Sequence, residues 1–87
     1  SYTQPTTLLL GNAGQGPDGV TKAQPLKSLP AQFNAAGLVE QQFIATSADG
    51  TKVPYFLVSH KDMPMDGSTP TLLYGYGGFE ISLPPVY

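Results

Sequence analysis

Glycine and proline together make up about a fifth of this 87-residue chain, with ten glycines and nine prolines spread along it. Glycine inside a helix costs backbone entropy. Proline removes a hydrogen-bond donor and clashes with the preceding turn, so a chain rich in both does not build a helical domain. Short strands joined by many turns fit this pattern. Hydrophobic residues are 40% of the composition, enough for a modest core. The apolar clusters Leu8-Leu9-Leu10, Phe56-Leu57-Val58 and Leu72-Leu73-Tyr74 argue against disorder. The expected fold class of these residues is therefore mostly β.

Turn signals divide the chain. Residues 6–11 read as a short strand, and residues 12–19 as a polar, glycine-rich loop. Residues 20–29 alternate weakly, and Pro25 and Pro30 limit any strand there to an edge. Residues 30–37 carry no periodicity and form a connector, the best place for a domain boundary. Residues 38–47 and 51–59 read as two strands around Ala48-Asp49-Gly50, because Asp-Gly accepts the positive φ of a tight hairpin. A polar loop over 62–70 turns at Asp66-Gly67-Ser68. Residues 71–76 are then a continuous apolar run, as in a strand covered on both faces. Leu83-Pro84-Pro85 ends regular structure. Both ends lie beside strand-like material that calls for partners, so the chain reads as an excerpt.

Charge excludes several function classes. Four lysines, no arginine and six acidic residues leave a net charge of -2, with no basic patch to neutralise phosphates, so no nucleic-acid partner is expected. No apolar stretch approaches the ~20 residues of a membrane span. The compartment stays open: a soluble setting, cytoplasmic or periplasmic, is expected. The absence of cysteine removes disulfides and thiolate metal sites.

Most motif matches reduce to plain structure. Gly14-Gln15-Gly16-Pro17-Asp18-Gly19 spells a dinucleotide fingerprint, but Val20-Thr21 and Pro25 disfavour the helix that must follow it, so it reads as a loop. His60 is the single histidine; with Asp62 and Asp66 in a loop and no nucleophile organised beside it, it reads as solvated. Three converging metal ligands are not available, and no metal or cofactor is expected. Glu40, Asp49 and Glu80 read as turn and edge charges, and no G-x-S-x-G elbow occurs.

The segment with chemical content is Tyr74-Gly75-Tyr76-Gly77-Gly78-Phe79. Glycines at a strand end let the backbone turn sharply and let a ligand approach the main chain. Two tyrosines bring phenolic donors there, and Phe79 adds an apolar wall. The plain alternative is a glycine-rich strand exit with its tyrosines packed in a core.

Leu72-Leu73-Tyr74-Gly75-Tyr76-Gly77-Gly78-Phe79, followed by Ile81-Ser82, closely resembles a segment of the prolyl oligopeptidase family. Ser47-Ala48-Asp49-Gly50-Thr51-Lys52-Val53-Pro54 resembles the hairpin that opens that family's catalytic domain. His60-Lys61 and Asp66-Gly67-Ser68 fall where the family has similar residues, and Ser1-Tyr2-Thr3-Gln4-Pro5 looks like the last strands of its β-propeller. The loop 12–19 lies outside the likeness. The resemblance implies a parent with an α/β-hydrolase domain capped by a β-propeller. Residues 1–31 would be the propeller's end, 32–37 a linker and 38–87 the first strands of the hydrolase domain. It implies a serine peptidase of short proline-containing peptides, needing no cofactor and acting with the remainder of the parent chain. Tyr76 would donate to the oxyanion, Phe79 would line the substrate pocket, and Gly75, Gly77 and Gly78 would form the turn at the site. The triad would lie outside these residues, leaving them inactive alone. An esterase or acylaminoacyl-peptidase of the same fold, and a free-standing β-rich binding module, are the alternatives.

Overall fold

Two antiparallel hairpins carry nearly all the regular structure. The computed structural model describes residues 1–87. Strand β1 (Thr7–Leu10) pairs with β2 (Gln24–Ser28), and β3 (Leu38–Thr46) pairs with β4 (Lys52–His60), each pair a separate two-stranded sheet. The expected mostly β class is observed for these residues. Residues 29–37 connect the hairpins without a regular element.

The first hairpin accommodates its proline by slipping. Leu8 faces Lys27 but Leu9 faces Pro25, so the ladder skips Leu26 and Pro25 sits beside the irregularity. Between the strands lies a short helix, α1 (Pro17–Thr21), where a loop was expected. Pro17 at its first position has its φ preset, and Asp18 in the first turn favours the helix dipole and meets Lys22 Nζ at 3.4 Å. The helix starts inside the glycine motif rather than after it. It also joins antiparallel neighbours, so the parallel β-α-β frame of a dinucleotide site is absent.

The second hairpin is the most regular element. Its ladder runs without a slip from Leu38 opposite His60 to Thr46 opposite Lys52, and Phe43 and Tyr55 stack across it at 5.5 Å. His60 therefore closes a strand instead of lying in the loop. Ser47 N–H donates to Thr51 O at 2.9 Å and Gly50 N–H to Ser47 O at 2.9 Å, leaving Ala48, Asp49 and Gly50 as a three-residue loop with Gly50 at φ 86°. That is a turn ending in a left-handed residue, the position where glycine avoids the Cβ clash. The Asp49 carboxylate closes it by accepting from the Ser47 hydroxyl and from Thr51 N–H.

Residues 3–4 form a bend, and no strand lies within residues 1–5. Tyr2 instead docks on the second hairpin, its N–H donating to Glu40 Oε2 at 2.9 Å and its ring meeting Phe56 edge-on at 5.7 Å. At the other end Tyr87 stacks on Phe33 at 5.1 Å.

No hydrophobic side chain is buried, and the accessible surface is 7611 Å². A compact chain of this mass exposes about 4,900 Å². The radius of gyration is 16.7 Å, against about 12 Å for a compact domain of this length. A free-standing β-rich module would need a core that this arrangement does not contain.

The turn yields two predictions for the intact protein. Gly50→Ala places a Cβ in the left-handed region at a cost of about 1 kcal/mol, so the β3–β4 amides should exchange with deuterium roughly fivefold faster; unchanged exchange would contradict the turn assignment. Asp49 is held down from an ordinary 3.8 to about 2, first by the Ser47 hydroxyl and then by Thr51 N–H. A depressed folded value stabilises above the unfolded one and is lost as pH falls through the folded one. The hairpin tip should therefore loosen between pH ~4 and ~2 once intrinsic exchange is corrected for, and Asp49→Asn should flatten that dependence.

Candidate functional site

The chain leaves β4 through a loop organised by Asp66. Its carboxylate accepts from Ser68 N–H at 3.0 Å and Ser68 Oγ at 2.6 Å, with Gly67 left-handed at φ 82°. The Ser68 hydroxyl, then its N–H, hold the Asp66 carboxyl below the ordinary carboxylate value. Pro70 follows and contributes no N–H.

Residues 71–76 do not form the expected strand. A continuous apolar run is stable as a strand when neighbours pair both its edges and cover both its faces. Here neither hairpin reaches it, and Leu72 and Leu73 are 91% and 95% exposed. Tyr74 is exposed too, so the tyrosines are not packed in a core.

A tight turn follows. Ile81 N–H donates to Gly78 O at 3.2 Å, and the two central residues, Phe79 and Glu80, are left-handed at φ 55° and 54°. Both carry side chains, and left-handed backbone costs such residues roughly 1–2 kcal/mol each. Gly78 opens this turn and Gly75 and Gly77 precede it, none of the three with positive φ. The requirement at Gly78 is close approach: a Cβ there would stand 3.0 Å from Tyr76 Oη and 3.2 Å from its Cζ. Beyond the residues adjacent in the chain, a Cβ on Gly75 or Gly77 meets nothing within 4 Å.

The structure thus brings Tyr76 and Gly78 together and leaves Phe79 apart, 91% exposed at the tip of the turn. Tyr76 is 49% exposed, its phenol folded back toward Gly78. Glu40 is occupied by Tyr2, Asp49 by its turn, and Glu80 sits beside Phe79, so these three carboxylates do not converge. Two surface hollows lie elsewhere. One is lined by Leu10, Asn12 and Lys22 among others, the second by His60, Asp62 and Met63 among others. What sequence reasoning missed is the contact between the phenol and Gly78. The Tyr-x-Gly spacing permits it but does not single it out among three glycines.

A phenol beside a glycine-rich backbone can donate one directed hydrogen bond to an oxygen that approaches the main chain. It offers no nucleophile–base pair. No helix is long and apolar enough to cross a membrane.

No protein-family model and no solved structure matches the chain. Curated relatives do. An "Uncharacterized peptidase y4nA" of Sinorhizobium fredii is 50% identical over 86 residues, 99% of this chain and 11% of the relative. A "Prolyl endopeptidase" of Elizabethkingia miricola is 38% identical over 87 residues, 100% of this chain and 12% of the relative. A "Prolyl oligopeptidase A" of Galerina marginata is 51% identical over 41 residues, 47% of this chain and 6% of the relative. The chain spans about an eighth or less of the length of these relatives. Likeness to peptidases and prolyl endopeptidases along its whole length, together with the tyrosine–glycine segment, makes the chain a member of the prolyl oligopeptidase family.

Proposed function

We propose that these residues form part of a serine peptidase that hydrolyses short proline-containing peptides, and that Tyr76 supplies one donor of its oxyanion hole. The observation that carries the proposal is the whole-length match to proteins named as peptidases and prolyl endopeptidases. Residues 1–31 are the end of a β-propeller-like domain, 32–37 a linker, and 38–87 the first strands of an α/β-hydrolase domain. The irregular connector over 29–37, which separates the two sheets, supports this division. The serine, its histidine and its aspartate come from elsewhere in the parent, which also covers the exposed leucines of 71–76.

The chemistry asked of Tyr76 is limited and physically sensible. When a serine oxygen attacks the scissile carbonyl carbon, the C–O π electrons move onto oxygen and the charge concentrates there. A fixed O–H donor in a site emptied of water favours that charge over the neutral carbonyl. The glycines let the substrate approach closely, and Phe79 provides an apolar wall for its side chain. The left-handed backbone at Phe79 and Glu80 supports this reading, since strain of that kind concentrates at functional turns. Neither the esterase nor the acylaminoacyl-peptidase alternative gains support from the names of these relatives, and a free-standing module lacks a core.

Two outcomes test this. In the full-length protein, Tyr76→Phe should lower kcat on a proline-containing peptide on the order of 10²–10³-fold, and near-normal turnover would sink the assignment. The 87 residues alone should take no label from a fluorophosphonate probe; a labelled serine would show that they hold a nucleophile of their own.

A further inference from the structure

We infer that Gly78 is a positioning residue for Tyr76, because the phenol occupies the space that any side chain at 78 would claim. This rests on the reading of Tyr76 as the oxyanion donor. A Cβ at Gly78 would lie 3.0 Å from Tyr76 Oη and 3.2 Å from Cζ, both tighter than ordinary van der Waals contact, and 3.5 Å from Cε1, within it. The atoms in the way belong to the far end of a flexible, half-exposed side chain, not to backbone. A methyl group at 78 is therefore relieved by swinging the phenol away, not by breaking the turn. Gly78 is also free of positive φ, so alanine there meets no backbone penalty of the left-handed kind.

The consequence falls on geometry rather than stability. An oxyanion donor works when its oxygen lies about 2.7–3.1 Å from the developing charge, so a displacement of several tenths of an ångström removes much of its effect. Substrate binding, which does not depend on that hydrogen bond in the ground state, changes little. Gly75 and Gly77 adjoin Tyr76 in the chain, and beyond their adjacent residues a Cβ on either meets nothing within 4 Å. Gly78 thus leaves open the space that the hydroxyl occupies.

The test is a double-mutant cycle in the full-length protein, with steady-state kinetics on a chromogenic proline-containing peptide and a thermal melt of each variant. Gly78→Ala should lower kcat about tenfold with KM within about twofold and little change in Tm. In the Tyr76→Phe background, which lacks the hydroxyl, Gly78→Ala should lower kcat by no more than about twofold further. Independent, multiplying losses would overturn the inference, and so would a Gly78→Ala protein that fails to fold, since Gly78 would then act in packing. Wild-type kcat in Gly78→Ala alongside a slow Tyr76→Phe would overturn this inference alone. Wild-type kcat in Tyr76→Phe would remove the oxyanion reading and this inference with it.

Discussion

Backbone ladders hold this chain in shape with almost no help from burial. There are 26 main-chain hydrogen bonds, while no hydrophobic side chain is buried. Each such bond contributes about 0.5–1.5 kcal/mol net, whereas fixing one residue's backbone costs about 1–2 kcal/mol. Two-stranded hairpins are marginal on those terms, and a hydrophobic face normally makes up the difference. Leu8, Leu9, Leu26, Ile44, Val53, Leu72 and Leu73 are apolar surface of that kind left open to solvent. The proposed covering is the rest of a peptidase several times longer.

The same constraint shapes the candidate site. Residues 71–76 have the composition of a buried strand and the exposure of a free segment, so the position of Tyr76 depends on contacts made locally. Those contacts are few: the phenol along Gly78 and the Gly78–Ile81 turn that follows it. The turn places side chains at two left-handed positions, and that cost is borne where the peptide-like ligand is proposed to approach. Phe79 stands outside this arrangement until something packs against it.

What the sequence made legible follows the range of the interactions involved. The β3–β4 hairpin was readable because its signals are local: alternating strands around Asp49-Gly50, a loop closed by an aspartate two residues from its partners. The edge character of β2 was readable from Pro25, though not the slip at Leu26 that accommodates it. Helix α1 is not announced by the sequence because Val20-Thr21 and Pro25 disfavour a helix, while Pro17 at a first helical position favours it. The strand at 71–76 was expected from an apolar pattern that names a need for neighbours without supplying them. The docking of Tyr2 on Glu40 and Phe56 joins residues far apart in the chain, and no local pattern announces it. At the site, the tyrosine and glycines were legible as a type of chemistry, but which glycine the phenol touches is a matter of three dimensions.

The most direct measurement compares how the full-length protein and its Tyr76→Phe variant bind two ligands. One is a peptide aldehyde that forms a tetrahedral oxyanion on the serine, and the other is the matching peptide acid, which does not. If Tyr76 recognises developing charge, the variant should lose on the order of 10²–10³-fold affinity for the aldehyde and little for the acid. Equal losses for both ligands, or none for the aldehyde, would contradict a role for this hydroxyl in the oxyanion hole.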